Sequence, residues 1–399
     1  AENGGTYAMN PGYDRPDHEG FRRFISYDCM FCHNAYPAIP PGNEKPLSPQ
    51  VYNLPLPEGI DCQRCHGDGA RHVKLASSSA PSAAIRSAIV NPGRLSPEHQ
   101  MEICMVCHLE PTSFPLPNAL LRHNRGPFSF RPGEPMGDYI VTFDHAPGTG
   151  REDKFEIVNA AYRLRRSACF LKSNGKLTCT TCHNPHDIPH GEAAVNHYDQ
   201  VCRQCHASSS THYQQPGCAS CHMPKRRTED VVHSLATDHL IQRRKPSGDL
   251  TAPRAERHEI GPTAYRGPVV LYYPEKLPPT PENELYLAVA QVKQNSNLAA
   301  GIDQLTQALQ HHRPKRAEFY VDLAEALERA GRVADSVPVF RDALTRDPNS
   351  APILQRLATA LRRAGRPAEA LPLHQRAATL APNVAINWHE LAQTLRTLS

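Results

Sequence analysis

The chain has 399 residues, a formal net charge of +4 and a mean hydropathy of −0.54. No apolar run approaches the roughly 18 residues needed to cross a bilayer as a helix, so no membrane span is expected. Thirteen cysteines, 22 histidines, 38 prolines and 23 glycines point instead to a chain rich in loops and metal-ligating side chains. It begins at Ala1, with neither Met nor an apolar leader segment, and reads as a mature form after signal cleavage. Composition shifts sharply near residue 280. All 13 cysteines and most of the His and Pro precede that point, and an Ala/Leu/Arg/Glu-rich stretch follows it. We therefore expect a first domain over 1–242, a Pro-rich connector over 243–281 and a helical domain over 282–399.

In chain order, the first domain carries Cys-x-x-Cys-His six times: Cys29/Cys32/His33, Cys62/Cys65/His66, Cys104/Cys107/His108, Cys179/Cys182/His183, Cys202/Cys205/His206 and Cys218/Cys221/His222. This is the attachment signature of c-type haem. Two thiols two residues apart form thioethers to both vinyl groups of one porphyrin, and the next residue falls under the iron as its proximal ligand. Zinc ribbons and disulfide frameworks do not need a His after every second Cys. A thioredoxin-like motif occurs once, beside a βαβ pattern that is not seen here. The expected cofactors are therefore six haem c groups with their irons. Haem attachment takes place outside the cytoplasm, so a periplasmic, extracellular or cell-surface location is expected. Two propionates per haem add up to about −12 of charge, which removes the apparent basic balance and with it nucleic acid as a partner.

About 40 residues per haem cannot enclose each group in its own domain, so the porphyrins must serve as much of the core. Successive first cysteines lie 33, 42, 75, 23 and 16 residues apart. The last two intervals bring haems 4, 5 and 6 close together. The 75-residue gap is expected to divide the domain into a front and a rear group of three.

Each iron has a sixth position, and twelve histidines outside the motifs precede residue 280. We favour His72, His145, His186, His212, His233 and His239. His186 follows its own motif too closely to fold back on the same iron but can reach an adjacent one. His72 follows two glycines that allow a turn back into the stack. His145 ends an apolar strand-like run, and His212 lies between motifs 5 and 6. His233 and His239 are expected on one helix, facing different haems. His18 is a close seventh. The odd Cys169 reads either as a buried free thiol or as a partner in an intermolecular disulfide. Lys225, Arg226 and Arg227 read as a solvated face or as partners of haem propionates.

In the connector, Val269–Tyr273 reads as a short strand or an extended segment packed on a neighbour. Beyond it, a 34-residue period is plain. Leu323, Leu357 and Leu391 are in step, as are Ala324, Ala358 and Ala392, and Leu327, Leu361 and Leu395. Tyr320, Leu354 and Trp388 share the first large position. Gly331 and Gly365 mark turns, Ala343 and Ala377 allow close packing, and Pro348 and Pro382 end second helices. This pattern resembles the tetratricopeptide repeat (TPR) family. Two full repeats span 317–350 and 351–384, a degenerate unit (282–316) precedes them, and a single helix from 385 caps them. The fold class expected is mainly α: a loop-rich multihaem cytochrome c domain with few short helices, followed by an α-helical TPR solenoid.

The clustered motifs, with Cys182-His-Asn-Pro-His186 and Cys221-His-Met-Pro224 before His233, resemble multihaem c-type cytochromes of the cytochrome c554 and c3-like group. The whole chain looks like bacterial fusions of such a cytochrome to tetratricopeptide repeats. The resemblance implies electron transfer, through mostly bis-His haems, with redox partner proteins, other cytochromes or copies of itself. The TPR groove would take a protein or peptide, and the haem count is also similar to that of cytochromes that polymerise into conductive filaments. No catalytic residue is expected. The alternative is a nitrite- or hydroxylamine-type oxidoreductase with one open haem. A Cys-x-x-Cys-Lys motif is lacking and histidines are plentiful, which weighs against it. A third reading makes the haems a redox sensor for assembly through the repeats.

Overall fold

The computed structural model describes residues 8–18, 20, 22–110, 119–206, 215–255 and 265–399. The fold is mainly α, with a loop-rich first part and a helical solenoid after it. Short helices dominate the first part: α1 (Tyr27–His33), α2 (Gln63–His66), α3 (Ala70–Ala76), α4 (Ser82–Ser87), α5 (Pro97–His108), α6 (Ala160–Arg165), α7 (Ala168–Lys172), α8 (Cys179–Cys182), α9 (Gly191–Cys205) and α10 (Cys218–His222). Ser26, Ser96 and Ser167 cap α1, α5 and α7 by accepting from backbone N–H groups of the first turn. These caps matter because helices this short are marginal alone.

Three strands form an antiparallel sheet: β1 (Ala119–Leu121), β2 (Ile140–His145) and β5 (Val269–Tyr273), with β2 in the middle. The apolar run Val269–Tyr273 is thus a strand, paired with β2 from Thr142↔Tyr273 to His145↔Val269. A hairpin of β3 (Lys225–Arg227) and β4 (Leu235–Thr237) stands apart. His233 lies between these strands and His239 just beyond them, so the expected single helix carrying both is not formed. Cross-strand pairing satisfies this backbone instead, after Pro224 at the head of the hairpin.

The solenoid comprises α11 (Pro281–Val292), α12 (Leu298–His312), α13 (Glu318–Arg329), α14 (Val333–Arg346), α15 (Ala351–Arg363), α16 (Pro367–Leu380) and α17 (Ala385–Leu398). Gly331 and Gly365, both at φ +77°, make the turns within the two full repeats, a conformation that side chains with a Cβ resist. At the entry of α12, a Cβ on Gly301 would come within 2.7 Å of the Gln291 Cβ, so the degenerate first unit also packs through a bare backbone.

One core runs through the boundary between the two parts. Leu120, Val141, Phe143 and Val269 from the sheet join Leu285, Tyr286, Phe319, Leu323 and Phe340 of the solenoid. Polar bonds reinforce the joint. Gln291 donates to Val269 O (2.7 Å) and accepts from Val269 N (3.0 Å), and Arg122 donates to Asn283 Oδ1 (2.9 Å). Buried Asp322 takes both Lys293 Nζ (2.5 Å) and His123 Nε2 (3.0 Å). The first solenoid unit is therefore fixed to the sheet and does not hang from a linker.

Candidate haem-binding site

All six Cys-x-x-Cys-His segments adopt one helical turn. The paired cysteines lie in or at the start of α1, α2, α5, α8, α9 and α10, and the His is the last helical residue or the residue after it. Side chains at i and i+3 of a turn share a face, so both thiols of a pair point the same way. The thiols are exposed or half-buried, and His33, His108, His183 and His206 are exposed. Among the described residues no three His, Cys, Asp or Glu side chains gather into a metal site. Large apolar side chains stand exposed around the motifs, including Phe24, Ile25, Leu54, Leu56 and Ile60. Paired thiols on one face, an adjacent imidazole and nearby open apolar ground fit a covalently bound porphyrin.

The motifs hold one another through side chains. Arg64, inside motif 2, donates to Asn34 O (2.7 and 2.9 Å) and Met30 O (3.1 Å) at the end of α1, and lies over the Tyr36 ring at 4.2 Å. Cys32 of motif 1 and Cys107 of motif 3 pack against one apolar cluster of Phe31, Phe130 and Tyr139, and Cys179 of motif 4 packs against Met101 and Met105 of α5. Met101 of α5 also accepts from Cys179 N (3.2 Å), and Thr180 bonds Gln100 (3.2 Å). Tyr198 and His197 of α9 reach His183 Nδ1 (3.2 Å) and Cys182 O (3.0 Å). Buried Asp199 accepts from Gly217 N (2.7 Å) and Cys218 N (2.8 Å), capping α10 and joining motif 5 to motif 6. Those bonds hold its carboxyl below the ordinary range against the opposing effect of burial. The front and rear groups expected from the 75-residue gap therefore meet directly, at α5 and α8.

Among the histidines expected as distal ligands, two face motif histidines. The His186 ring lies 5.9 Å from that of His66, and the His239 ring 6.1 Å from that of His183. Burial, followed by the charge of nearby His183, holds His239 below the ordinary imidazole value, so it is neutral near pH 7. His72 lies in α3, where its Nδ1 donates to Ile85 O (2.9 Å). Buried His145 packs edge-on against Tyr265 (4.4 Å), and neither ring nitrogen has a hydrogen-bond partner. His233 pairs through Nε2 with Asp14 (2.9 Å), and His212 lies outside the described residues.

His99 is not among the six histidines favoured as distal ligands. Its Nδ1 donates to Gly133 O (2.8 Å), and it precedes His108 by nine residues on α5, about half a turn away around the axis. That bond comes from a distant loop, so no local pattern announces it. Cys169 is half-buried in α7, not buried as a core residue would be, and burial raises its thiol pKa. Of the basic run, Lys225 is exposed as a solvated face would be, but its two neighbours are not. Arg226 is buried against Asp238 (3.1 Å) and Asp153 (3.2 Å), and Arg227 donates to Val232 O, Thr251 O and Ala252 O.

Comparison with known proteins covers the chain in pieces. Residues 173–211, spanning motifs 4 and 5, match the doubled CXXCH motif. Residues 287–351 and 353–386 match tetratricopeptide-repeat families. No curated protein sequence matches the chain significantly. Among solved structures, a MamA structure (MSR-1) is 21% identical over 30% of this chain and 67% of its own, with a TM-score of 0.27. A second MamA structure (AMB-1) is 21% identical over 30% and 69%, with a TM-score of 0.28. The Sgt2 TPR domain from Aspergillus fumigatus is 19% identical over 30% and 80%, with a TM-score of 0.27. The chain thus joins a c-type haem attachment motif to tetratricopeptide repeats, modules of haem binding and of protein–protein interaction.

Proposed function

We propose that this chain is a multihaem electron carrier of the cytochrome c554/c3-like kind, working outside the cytoplasm. Six haems attach at the six motifs, and the TPR solenoid docks a protein partner or a second copy. The observation that carries this reading is the unbroken run of side-chain contacts linking all six attachment turns. Bound haem supplies a one-electron ferric/ferrous couple. The protein's residues do the rest. The helical turns set both thiols on one side, imidazoles with Nδ1 bound to backbone carbonyls offer Nε2, and the inter-motif bonds keep attachment points within contact distance. His66 is held this way, by Val90 O (2.8 Å).

Low-temperature EPR of the oxidised, haem-loaded protein tests the proposal. Low-spin ferric signals alone, unchanged by cyanide or nitrite, are expected. A high-spin signal that such ligands abolish would overturn the carrier reading in favour of a nitrogen-oxide oxidoreductase with an open iron.

A further inference from the structure

Resting on the haem reading above, we propose specific axial pairs: His186 is the sixth ligand of the iron attached at Cys62/Cys65, opposite His66, and His239 is that of the iron at Cys179/Cys182, opposite His183. The segment Cys182-His-Asn-Pro-His186 then supplies a ligand to each of two irons, three residues apart, and couples motif 4 directly to motif 2.

Three observations converge. The first is spacing. A metal–imidazole bond of about 2 Å on each side, plus about 1 Å from nitrogen to ring centre, sets the centroids about 6 Å apart. The two pairs measure 5.9 and 6.1 Å, with ring planes 23° and 41° apart. The second is the tautomer. His66 Nδ1 donates to Val90 O (2.8 Å) and His239 Nδ1 to Thr237 O (3.0 Å), while His183 Nδ1 is bonded to the Tyr198 hydroxyl (3.2 Å). In each ring that leaves Nε2 as the ligating nitrogen. The third is anchoring. Asp238, beside His239, is fully buried and receives Arg163 through two hydrogen bonds (2.8 and 2.7 Å), as well as Leu240 N (2.9 Å). His186 is held by its own N–H, which donates to Asn184 Oδ1 (3.1 Å).

The test uses the full chain matured with haem. Mass spectrometry first counts covalent haems, and a wild-type count of zero would sink the haem reading itself, separately from the pairing. In EPR, His186→Ala and His239→Ala should each turn one iron in six high-spin, and added imidazole should restore the low-spin signal. His190→Ala, an exposed neighbour, should stay low-spin throughout. Cys62→Ser/Cys65→Ser should then remove one haem and erase the effect of His186→Ala while leaving that of His239→Ala. The pairing is wrong if His186→Ala stays low-spin, or if its high-spin signal survives loss of the motif 2 haem. Should the cysteine variant fail to mature, a crystal structure of the haem-loaded wild type decides directly. His186 Nε2 bound to the motif 2 iron sustains the pairing, and any other ligand there overturns it.

Discussion

The two parts of this molecule are stable for different reasons. The solenoid encloses its own core. Among the described residues, the largest cluster of buried apolar residues holds 31 side chains, and all but five lie after residue 280. The two clusters wholly or mainly in the first part hold seven and three. There the thiol pairs, their histidines and side chains such as Phe24 and Leu54 stay open. A repeat array needs only its neighbours to complete a hydrophobic interface. On the proposed reading, haem at the attachment turns would complete the first part. Between them, β1, β2 and β5 belong to the first part by connection and to the solenoid by packing.

The largest effect should come from withholding haem. Hydrogen exchange on chain produced without haem attachment should show α1 to α10 unprotected, while α12 to α16 and the β2–β5 pair keep slow amides. Slow amides throughout the short helices would break the contrast, because those helices would then be holding themselves.

The joint between the parts is next. Asp322 is buried, and its carboxyl, despite the cost of burial, is drawn down to about 2 by Lys293 and His123. Replacing it with Ala leaves the Lys293 ammonium without its counter-charge and should cost about 3–5 kcal/mol. Its folded-state pKa lies below the ordinary value of about 3.9, so the stabilisation is full above about pH 4 and lost as pH falls through about 2. Urea unfolding at pH 7 of wild type and Asp322→Ala measures the first effect, and the acid limb measures the second.

A third effect is confined to the solenoid. His374 in α16 is fully buried, neither ring nitrogen has a hydrogen-bond partner, and burial lowers its pKa to about 4. Between about pH 6.5 and 4 the unfolded chain therefore binds a proton that the folded one refuses, and stability falls with pH by about 3 kcal/mol in all. His374→Leu should flatten that slope. The single Trp, Trp388 in α17, reports the transition by fluorescence.

What the sequence made legible follows from range. Thiol, thiol and imidazole must sit in one turn to meet one porphyrin, so the attachment chemistry is written in five consecutive residues. The 34-residue period is likewise a nearest-neighbour property, and the helices follow it from α13 onward. Long-range pairings leave no such trace. Nothing near His186 names His66, and nothing near Val269 names β2. Arg226 misled because strand pairing turns alternate side chains to opposite faces, so the middle of three basic residues became buried. The bond from His99 to a carbonyl 34 residues away leaves no such trace either.

The smallest effect gives the finest separation of the two parts. Gly331 turns the chain between α13 and α14 at φ +77°, and no atom lies within 4 Å of where a Cβ would stand. Ala there meets no clash, so only the backbone conformation opposes it, at about 1 kcal/mol. Gly331→Ala should therefore lower the solenoid transition seen by Trp388 by a few degrees and leave the EPR spectrum of the haem-loaded protein unchanged. A shift in the haem signals would mean that strain crosses the β2–β5 joint, and that the solenoid sets the geometry of the attachment turns as well as standing beside them.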